Sequence, residues 1–370
     1  MSEPFQLGDE LGPVKVIHVQ VPEADVKGIL VVDNVAAGPA IGGLRIAPDV
    51  TLEECFRLAR AMTFKNASAG LNHGGGKSVM IGDPHASKDQ KAKMVRAFAK
   101  ALRGETDYIF GPDMGTDELC MGWVKDEINR AAGLPKALGG IPLDELGATG
   151  FGLAVAAEVA VEYCDFELNG ARVAIQGFGS VGIHAARFLS EKGAAIVAVS
   201  DSRGTLHNPD GIAISALTAH KLEGGAVAEF SGGKKMDGSA VNFVETDIWI
   251  PAARPDVLSQ DRTGDFKAKL ILQGANIPMT HDTEKDLESR GVINVPDFIA
   301  NAGGVICAAM EYQGQTAQGA FKAIEEKIRE NTKEVLERSK RNSISAREAA
   351  ENLAVDRVKA AMQTRRFGIF

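Results

Sequence analysis

Charged residues that could take part in binding or catalysis stand close to glycines in three segments of the first half of the chain. These segments are Gly42-Gly-Leu-Arg45, Met62-Thr-Phe-Lys65 through Gly74-Gly-Gly-Lys77, and Gly111-Pro-Asp113-Met-Gly-Thr116. Lys65 and Lys77 flank a glycine-rich turn, so both could reach one cleft. One ammonium there would neutralise a substrate carboxylate and lower the pKa of the other amine, which could then act as an acid or base near neutral pH. Taken alone, each lysine would more often be an ordinary surface residue.

A second chemical signal begins at a short apolar strand, Arg172-Val-Ala-Ile-Gln176, which leads into Gly177-Phe-Gly-Ser-Val-Gly182 and then into an amphipathic helix over residues 183–192. This strand, glycine turn and helix form the setting in which a dinucleotide pyrophosphate lies on helix N–H groups. The motif therefore predicts a cofactor site made by Gly177, Phe178, Gly179, Ser180, Val181 and Gly182.

The residue that would distinguish NAD from NADP is Asp201, at the end of the next predicted strand. A carboxylate at about this distance from the first glycine binds the ribose 2′-hydroxyl, which favours NAD. Ser202 and Arg203 leave NADP open, because a hydroxyl and a guanidinium could accommodate a 2′-phosphate. A turn-capping role is the alternative for Asp201.

The predicted strands and helices that position these residues indicate an α/β protein. A chain of 370 residues is too long to form a single ordinary hydrophobic core, so we expect two domains. Strands are expected at residues 14–20 and 28–33, then a helix over 51–68 with a Thr51/Glu54 capping box. Glycines and prolines mark a boundary near residues 139–150. We predict a substrate domain of residues 1–146 plus about 335–370, and a doubly wound Rossmann domain of residues 147–334 with further strands at 248–251, 270–272 and 292–295.

Composition excludes several classes of function. A net charge of −8 makes nucleic acid and anionic membranes poor partners. No apolar leader or membrane helix is visible, so we expect a cytoplasmic protein. Four scattered cysteines and seven histidines without ligand spacing predict no metal site and no disulfide framework, and the cysteines are expected in the core.

Over nearly its whole length the sequence resembles the Glu/Leu/Phe/Val dehydrogenase family. The three segments above occur in the family's order, followed by Ala148-Thr-Gly-Phe-Gly152, the Rossmann glycines, Gly274-Ala-Asn276, and Pro296-Asp-Phe through Asn301-Ala-Gly-Gly-Val305. The resemblance implies reversible NAD(P)-dependent oxidative deamination of an L-amino acid to a 2-oxo acid and ammonia. It also implies a homo-oligomer assembled through the N-terminal domain.

Individual roles follow from that resemblance. Lys65, with Gly43 beside it, would bind the substrate α-carboxylate. Lys77 would polarise the carbonyl and activate water, and Asp113 would carry protons to and from the amino group. Thr149, Asn276 and Asn301 would support the cofactor, and Asn276 the substrate as well, although turn capping is an alternative for the two asparagines.

Substrate preference is predicted from two positions. Glutamate enzymes of the family carry a lysine before Gly-Gly-Leu-Arg and a serine seven residues after the Asn of Asn-Ala-Gly-Gly, where this chain has Ile41 and Ala308. An unpaired buried carboxylate would cost several kcal/mol, so the pocket, with Val305 as another wall, favours leucine, valine, phenylalanine or a similar side chain. Glutamate remains the alternative. His73 stands where the family usually has an apolar or aromatic residue, and it either contacts the substrate or is structural.

Two hypotheses that assign the chain to other functional classes remain. A catalytically silent NAD-binding regulatory protein would need only the Rossmann domain, and the presence of Lys65, Lys77 and Asp113 argues against it. A hydroxy-acid or alcohol dehydrogenase would need a histidine–acid pair or a metal beside the cofactor, and neither pattern is recognisable.

Overall fold

The computed structural model describes residues 7–364. The strands are β1 (Lys15–Val21), β2 (Val26–Asn34), β3 (Ala40–Ala47), β4 (Gly74–Ile81), β5 (Tyr108–Pro112), β6 (Arg172–Gln176), β7 (Ala195–Asp201), β8 (Gly204–His207), β9 (Lys234–Met236), β10 (Ile248–Pro251), β11 (Leu270–Leu272) and β12 (Ile293–Val295). The helices are α1 (Leu52–Ser68), α2 (Lys88–Ala101), α3 (Glu118–Ile128), α4 (Leu143–Leu146), α5 (Ala148–Ala160), α6 (Ser180–Glu191), α7 (Ile214–Leu222), α8 (His281–Ser289), α9 (Asp297–Ala300), α10 (Gly303–Tyr312), α11 (Ala317–Asn342) and α12 (Ala346–Thr364).

The chain forms two compact units, as the prediction of a two-domain α/β fold required. The first unit is Met1–Pro142 with Val305–Ala320 and Glu351–Phe370, and the second is Leu143–Gly304 with Phe321–Ala350. The two ends of the first unit, residues 1–6 and 365–370, lie outside the described residues, and so does part of the predicted 335–370 segment.

This division differs from the predicted ranges for reasons visible within each unit. From Phe321 onward helix α11 belongs to the second unit, where Arg329 pairs with Glu158 of α5 at 2.8 Å. The return to the first unit therefore starts at Glu351 rather than near residue 335, and α12 packs Ala354 and Val358 with Ala67 of α1. Most of α10, which the prediction gave to the Rossmann domain, lies in the first unit.

The first unit is built on a mixed five-stranded sheet in the order β1-β2-β4-β3-β5. One face packs on α2 and α3 through an apolar cluster that includes Leu30, Phe98 and Val124, and α1 covers part of the other face with Cys55 and Ala59. Strands β3, β4 and β5 are parallel, and Leu44 of β3 pairs with both Ser78 of β4 and Pro112 of β5. The residues next to these three, Gly43, Lys77 and Asp113, therefore lie on adjacent strands or directly after one.

Helix α1 approaches β4 very closely because β4 begins with three glycines. A Cβ on Gly75 would lie 2.0 Å from the backbone nitrogen of Thr63. The predicted cap is present in part, since Thr51 accepts a hydrogen bond from the Glu54 N–H at 3.1 Å. The Glu54 carboxylate, however, accepts from Arg45 rather than completing the capping box.

The second unit holds a seven-stranded sheet in the order β12-β11-β10-β6-β7-β8-β9. The first five strands in this order are parallel, and β8 and β9 are antiparallel additions at one edge. The chain leaves β6 in both directions, to β7 on one side and later to β10 on the other. Such a switch point opens a crevice at the carboxyl ends of the strands, where ligands bind in doubly wound sheets.

The cysteines and the hydropathy of the helices were the subject of two expectations from composition. Cys55, Cys120 and Cys307 are buried and free, as expected, whereas Cys164 is only half-buried, which corrects the expectation that all four cysteines lie in the core. Within residues 7–364 there is no helix long and apolar enough to span a bilayer.

The close approach of β3 to β4 at Gly42 predicts a selective loss of stability. A Cβ on Gly42 would lie 1.7 Å from the Gly76 carbonyl oxygen, so Gly42→Ala should force β3 and β4 apart and lower the free energy of unfolding by about 3 kcal/mol, at the upper end for overpacking. Urea denaturation followed by circular dichroism measures this loss. The exposed Gly104, with nothing within 4 Å of a new Cβ, supplies Gly104→Ala as the matched control, and equal midpoints for the two variants would contradict the account.

Candidate active site

Three charged side chains meet where β3, β4 and the end of β5 lie side by side in the first unit's sheet. The Lys77 ammonium lies 3.0 Å from Asp113 Oδ2, and the Arg45 Nε donates to the same oxygen at 2.8 Å. Lys77 is 4% exposed, whereas the Asp113 side chain keeps 25% of its surface. The carboxylate is therefore held by two cations and still accessible to a small molecule.

The backbone around Asp113 is fixed by its own turn. Its N–H donates to the Thr116 hydroxyl at 2.9 Å, and that hydroxyl donates to the Leu44 carbonyl of β3 at 2.7 Å. Gly43 lies between the two charges, because a Cβ there would lie 2.7 Å from the Asp113 Cβ and 3.1 Å from the Lys77 Nζ. Gly43 therefore leaves the space in which Lys77 and Asp113 meet.

Burial lowers the pKa of Lys77, Asp113 opposes this effect, and the guanidinium of Arg45 lowers the pKa further, so that it lies below the ordinary value for lysine. Burial alone would raise the pKa of Asp113, but Lys77 and Arg45 outweigh it and hold that pKa below its usual value. The ionised carboxylate is thus available as a proton acceptor near neutral pH.

Lys65 lies in the last turn of α1 and is half-buried. It is two residues after Thr63, the point at which α1 presses on Gly75, and Gly75 is two residues before Lys77. The helix that carries Lys65 thus packs directly on the strand that carries Lys77. Arg45 is a cation that lowers the Lys77 pKa, whereas the sequence analysis expected one of the two lysines to lower the pKa of the other.

The residues predicted to contact the substrate side chain also lie in the first unit. Ile41 is 6% exposed on β3 and pairs with Gly75 of β4, while Val305 and Ala308 are half-buried on α10. Tyr312, one turn beyond Ala308 on the same face of α10, stacks edge-on against His73 with ring centroids 6.2 Å apart. His73 directly precedes β4, so this face of α10 lies near the start of β4 and Ile41.

His73 is 5% exposed, and its Nδ1 lies 3.1 Å from the Pro39 carbonyl oxygen. Burial lowers its pKa, although the Pro39 carbonyl opposes the shift, so the ring is held neutral. Its Nε2 has no hydrogen-bond partner among residues 7–364. The ring has a packing role through Tyr312, and contact with a substrate stays a prediction.

In the second unit, the predicted glycine turn forms an open cradle at the end of β6. Gly177 has a φ of +99° and turns the chain, while a Cβ on Gly182 would lie 1.9 Å from the Gly177 carbonyl oxygen. Gly179 begins α6 with no side-chain cap and nothing within 4 Å of a Cβ, so the first N–H groups of the helix face open space. That arrangement fits a pyrophosphate. Ser180 is exposed, Val181 is half-buried, and Phe178 is 1% exposed, so Phe178 offers only its backbone.

Beyond the cradle, Asp201 is engaged by a cation that the sequence analysis did not assign. Its Oδ2 pairs with the Lys221 ammonium and accepts from the Val227 N–H, while Oδ1 accepts from the Arg203 N–H at 2.8 Å. Burial alone would raise the pKa of Asp201, but Lys221 and these N–H groups outweigh burial and hold the pKa below its usual value. Capping is thus one role of Asp201, and a ribose contact remains a prediction.

The groove of about 380 Å³ at this point is lined by Asp201 and Ser202 together with Lys221 and Arg254. The Arg203 guanidinium donates to the Gly224 carbonyl at 2.8 Å and does not line this groove, and its contact with a 2′-phosphate stays a prediction. Lys221 and Arg254 are the positive groups of this groove. The sequence did not predict them, because both are far from Asp201 along the chain.

The two predicted asparagines of the second unit lie together. Asn301 Nδ2 donates to Asn276 Oδ1 at 2.9 Å, and Asn301 Oδ1 is buried without a hydrogen-bond partner in the described part of the chain. A bound carboxamide could satisfy that oxygen. Thr149 is half-buried at the start of α5, and a Cβ on Gly304 would lie 3.2 Å from its hydroxyl.

The structure therefore gathers the predicted residues into two sets. Lys65, Lys77, Asp113, Gly43, Ile41, Val305 and Ala308 belong to the first unit, and the glycine cradle, Asp201, Ser202, Thr149, Asn276 and Asn301 belong to the second. Arg45 joins the first set, and its place in Gly-Gly-Leu-Arg was the signal that could have found it. No group of three or more His, Cys, Asp or Glu side chains suited to a metal occurs within residues 7–364.

Comparison with known proteins covers nearly the whole chain. Residues 139–366 match the family model described as Glutamate/Leucine/Phenylalanine/Valine dehydrogenase, and residues 13–130 match that of the Glu/Leu/Phe/Val dehydrogenase dimerisation domain. The glutamate dehydrogenase of Aeropyrum pernix is 39% identical over 355 residues, which cover 90% of this chain and 85% of that protein. The NADP(+)-dependent glutamate dehydrogenase of Pyrobaculum calidifontis is 36% identical, with 95% of this chain and 91% of that protein covered.

Solved structures give the same result for the fold. The hetero-hexameric glutamate dehydrogenase from Thermus thermophilus, in a leucine-bound form, matches with a TM-score of 0.82 and 27% identity, covering 97% of this chain and 91% of that one. The L-tryptophan dehydrogenase from Nostoc punctiforme matches with a TM-score of 0.76 and 25% identity, covering 95% and 97%.

The glycine cradle predicts that folding and cofactor binding can be separated. Gly179→Ala should keep the wild-type urea midpoint, because the new Cβ meets nothing and φ is −98°, but should weaken NADH binding roughly tenfold by reaching into the phosphate space. Titration of NADH fluorescence measures the binding. Gly182→Ala is the matched control and should lose stability instead, so a Gly179→Ala protein that binds NADH as tightly as wild type would contradict the assignment.

Proposed function

The chain belongs to the Glu/Leu/Phe/Val dehydrogenase family, as its motifs predicted, and is an NAD(P)-dependent amino acid dehydrogenase; we propose that it prefers an L-amino acid with an apolar side chain. The observation that carries this preference is the apolar pair Ile41 and Ala308 at the positions where a glutamate enzyme of the family would hold a carboxylate. Ile41 is nearly fully buried, so a charge placed against it would have little contact with water.

In the proposed reaction, the charged side chains of the first unit act one after another. Lys65 binds the substrate α-carboxylate, and the ionised Asp113 accepts a proton from the α-ammonium group. Bound NAD(P)⁺ supplies the acceptor for the hydride that leaves Cα. Lys77 then directs a water molecule to the iminium carbon and accepts a proton from it as the C–O bond forms, while Asp113 returns its proton to the nitrogen. The C–N bond breaks as the remaining hydroxyl proton passes to solvent, and the 2-oxo acid and ammonia are released. Reductive amination follows the same steps in reverse.

Glutamate is the second candidate, and the relatives favour it. The Aeropyrum and Pyrobaculum proteins, at 39% and 36% identity, are both glutamate dehydrogenases, which gives glutamate broader support than two pocket residues give an apolar substrate. Overall similarity records common descent, however, whereas specificity depends on contacts with the substrate side chain. The Nostoc tryptophan dehydrogenase supports the view that this fold also serves an apolar side chain.

We further propose that the cofactor groove accepts both NAD and NADP. Asp201 supports NAD through a ribose hydroxyl, whereas Lys221 and Arg254 beside it supply positive charge for a 2′-phosphate. The name of the Pyrobaculum relative is consistent with NADP use. We also propose a homo-oligomer, since the matched N-terminal model is described as a dimerisation domain. The Thermus neighbour, a hetero-hexamer, supports oligomerisation of this fold in general.

Substrate preference is tested by restoring the missing charges. Absorbance at 340 nm, measured with a panel of L-amino acids and with NAD or NADP, should give turnover of leucine, valine, phenylalanine or tryptophan but little of glutamate. The double variant Ile41→Lys/Ala308→Ser should raise kcat/KM for glutamate relative to the apolar substrate by roughly 100-fold, because a buried carboxylate gains a partner.

The control for that variant is Ile81→Lys, the same change at a residue of β4 that is 46% exposed. It should leave the substrate ranking unchanged. Wild-type enzyme that turns over glutamate best would refute the apolar preference in favour of the second candidate. Turnover of no amino acid in the panel would count against both.

A further inference from the structure

Glu311 is a buried carboxylate that the proposed reaction does not use. It lies one residue before the end of α10 and is 7% exposed. Its oxygens accept from three backbone N–H groups: Oε1 from Gly133 at 2.8 Å and from Leu134 at 3.0 Å, and Oε2 from Ile141 at 2.7 Å. All of these residues belong to the first unit. Three N–H dipoles converging on one carboxylate stabilise its charge away from water.

The three donors come from the two ends of one loop, residues 133–141. The loop is closed on itself, since the Gly140 N–H donates to the Pro135 carbonyl at 3.1 Å, and a Cβ on Gly140 would lie 1.7 Å from the Leu134 carbonyl oxygen. Glu311 therefore joins both ends of this loop to α10 through a single side chain.

One end of the loop lies against the segment that carries the proposed proton acceptor. The Ala132 N–H donates to the Phe110 carbonyl of β5 at 2.8 Å, and a Cβ on Gly133 would lie 2.6 Å from the Pro112 ring. Pro112 directly precedes Asp113. Contacts thus run from the Glu311 carboxylate through Gly133 and Pro112 to the backbone of Asp113.

The other side of Glu311 is the helix that bears the proposed side-chain pocket. Ala308 lies one turn earlier, and Tyr312, the next residue, packs against His73. A shift of α10 relative to the loop would move Ala308 with respect to both Asp113 and Ile41. A displacement of 1 Å is enough to reduce catalysis strongly when reacting groups must be aligned.

We propose that Glu311 is a positioning residue that fixes the distance between the substrate-pocket face of α10 and Asp113, by binding both ends of the 133–141 loop. The inference rests on the proposed function only in that Ala308 and Asp113 must lie at the substrate. It does not depend on which amino acid is preferred. A change at Glu311 should therefore alter how the amino acid is bound and ranked, with no effect on cofactor binding.

Glu311→Gln tests this inference, because an amide can accept from one end of the loop but turns an NH2 group toward the N–H at the other end. For the amino acid that wild type turns over best, KM should rise about tenfold and kcat should fall, and the ranking of smaller against larger side chains should change. The dissociation constant of NADH should stay within twofold of wild type. Glu23→Gln, the same change at an exposed residue of the first unit, should leave all of these values unchanged.

A Glu311→Gln enzyme with a lowered melting temperature but wild-type KM, kcat and ranking would overturn the proposal and leave Glu311 a purely structural residue. If Glu311→Gln does not fold, Glu311→Asp keeps the charge and moves it by about 1.5 Å, one carbon–carbon bond. This variant should show the same rise in KM, and unchanged kinetics for a folded Glu311→Asp would likewise overturn the proposal. A wild-type preference for glutamate would refute the apolar assignment but leave this comparison intact, because wild type and variant are measured on the same substrate.

Discussion

The contact on which the candidate active site depends is the one between the Asp113 carboxylate and the two cations Lys77 and Arg45. A buried ammonium is costly unless it is paired, and Asp113 provides that pairing while remaining partly open to solvent. Arg45 binds the same oxygen and so keeps the carboxylate ionised despite its burial. The chemistry proposed here needs this state, a carboxylate that can accept a proton beside an amine whose pKa is lowered.

Glycine is the constraint that makes this arrangement compatible with a packed sheet. Gly43 leaves room for Lys77 and Asp113 to meet, and Gly75 lets α1 pack Thr63 directly onto β4. The second unit uses the same device, since Gly179 leaves the start of α6 open to an anion and Gly182 lets the helix pack on the turn. In both units a missing side chain supplies the volume that a ligand or a charged group requires.

Much of the fold and part of the site could be predicted from the sequence, because periodicity and glycine spacing are local signals. The Rossmann strand Arg172–Gln176 and its turn were predicted at the observed positions, and so were the strands at 248–251 and 270–272. Lys221 beside Asp201 and Glu311 on the 133–141 loop were not, because each acts on residues distant in the chain with no motif of its own. The preference for glutamate or an apolar side chain depends on the pocket, which overall similarity does not determine.

The most direct test of the charge cluster is the pH dependence of kcat/KM for wild type and for Arg45→Gln. Arg45 lowers the pKa of both Asp113 and Lys77, so its removal should raise both pKa values and move the whole profile to higher pH. Glu54→Gln, which removes the other partner of Arg45 but leaves its charge, should shift the profile far less. An Arg45→Gln profile that superimposes on wild type, or moves to lower pH, would contradict the assignment of Asp113 and Lys77 as the groups that carry protons.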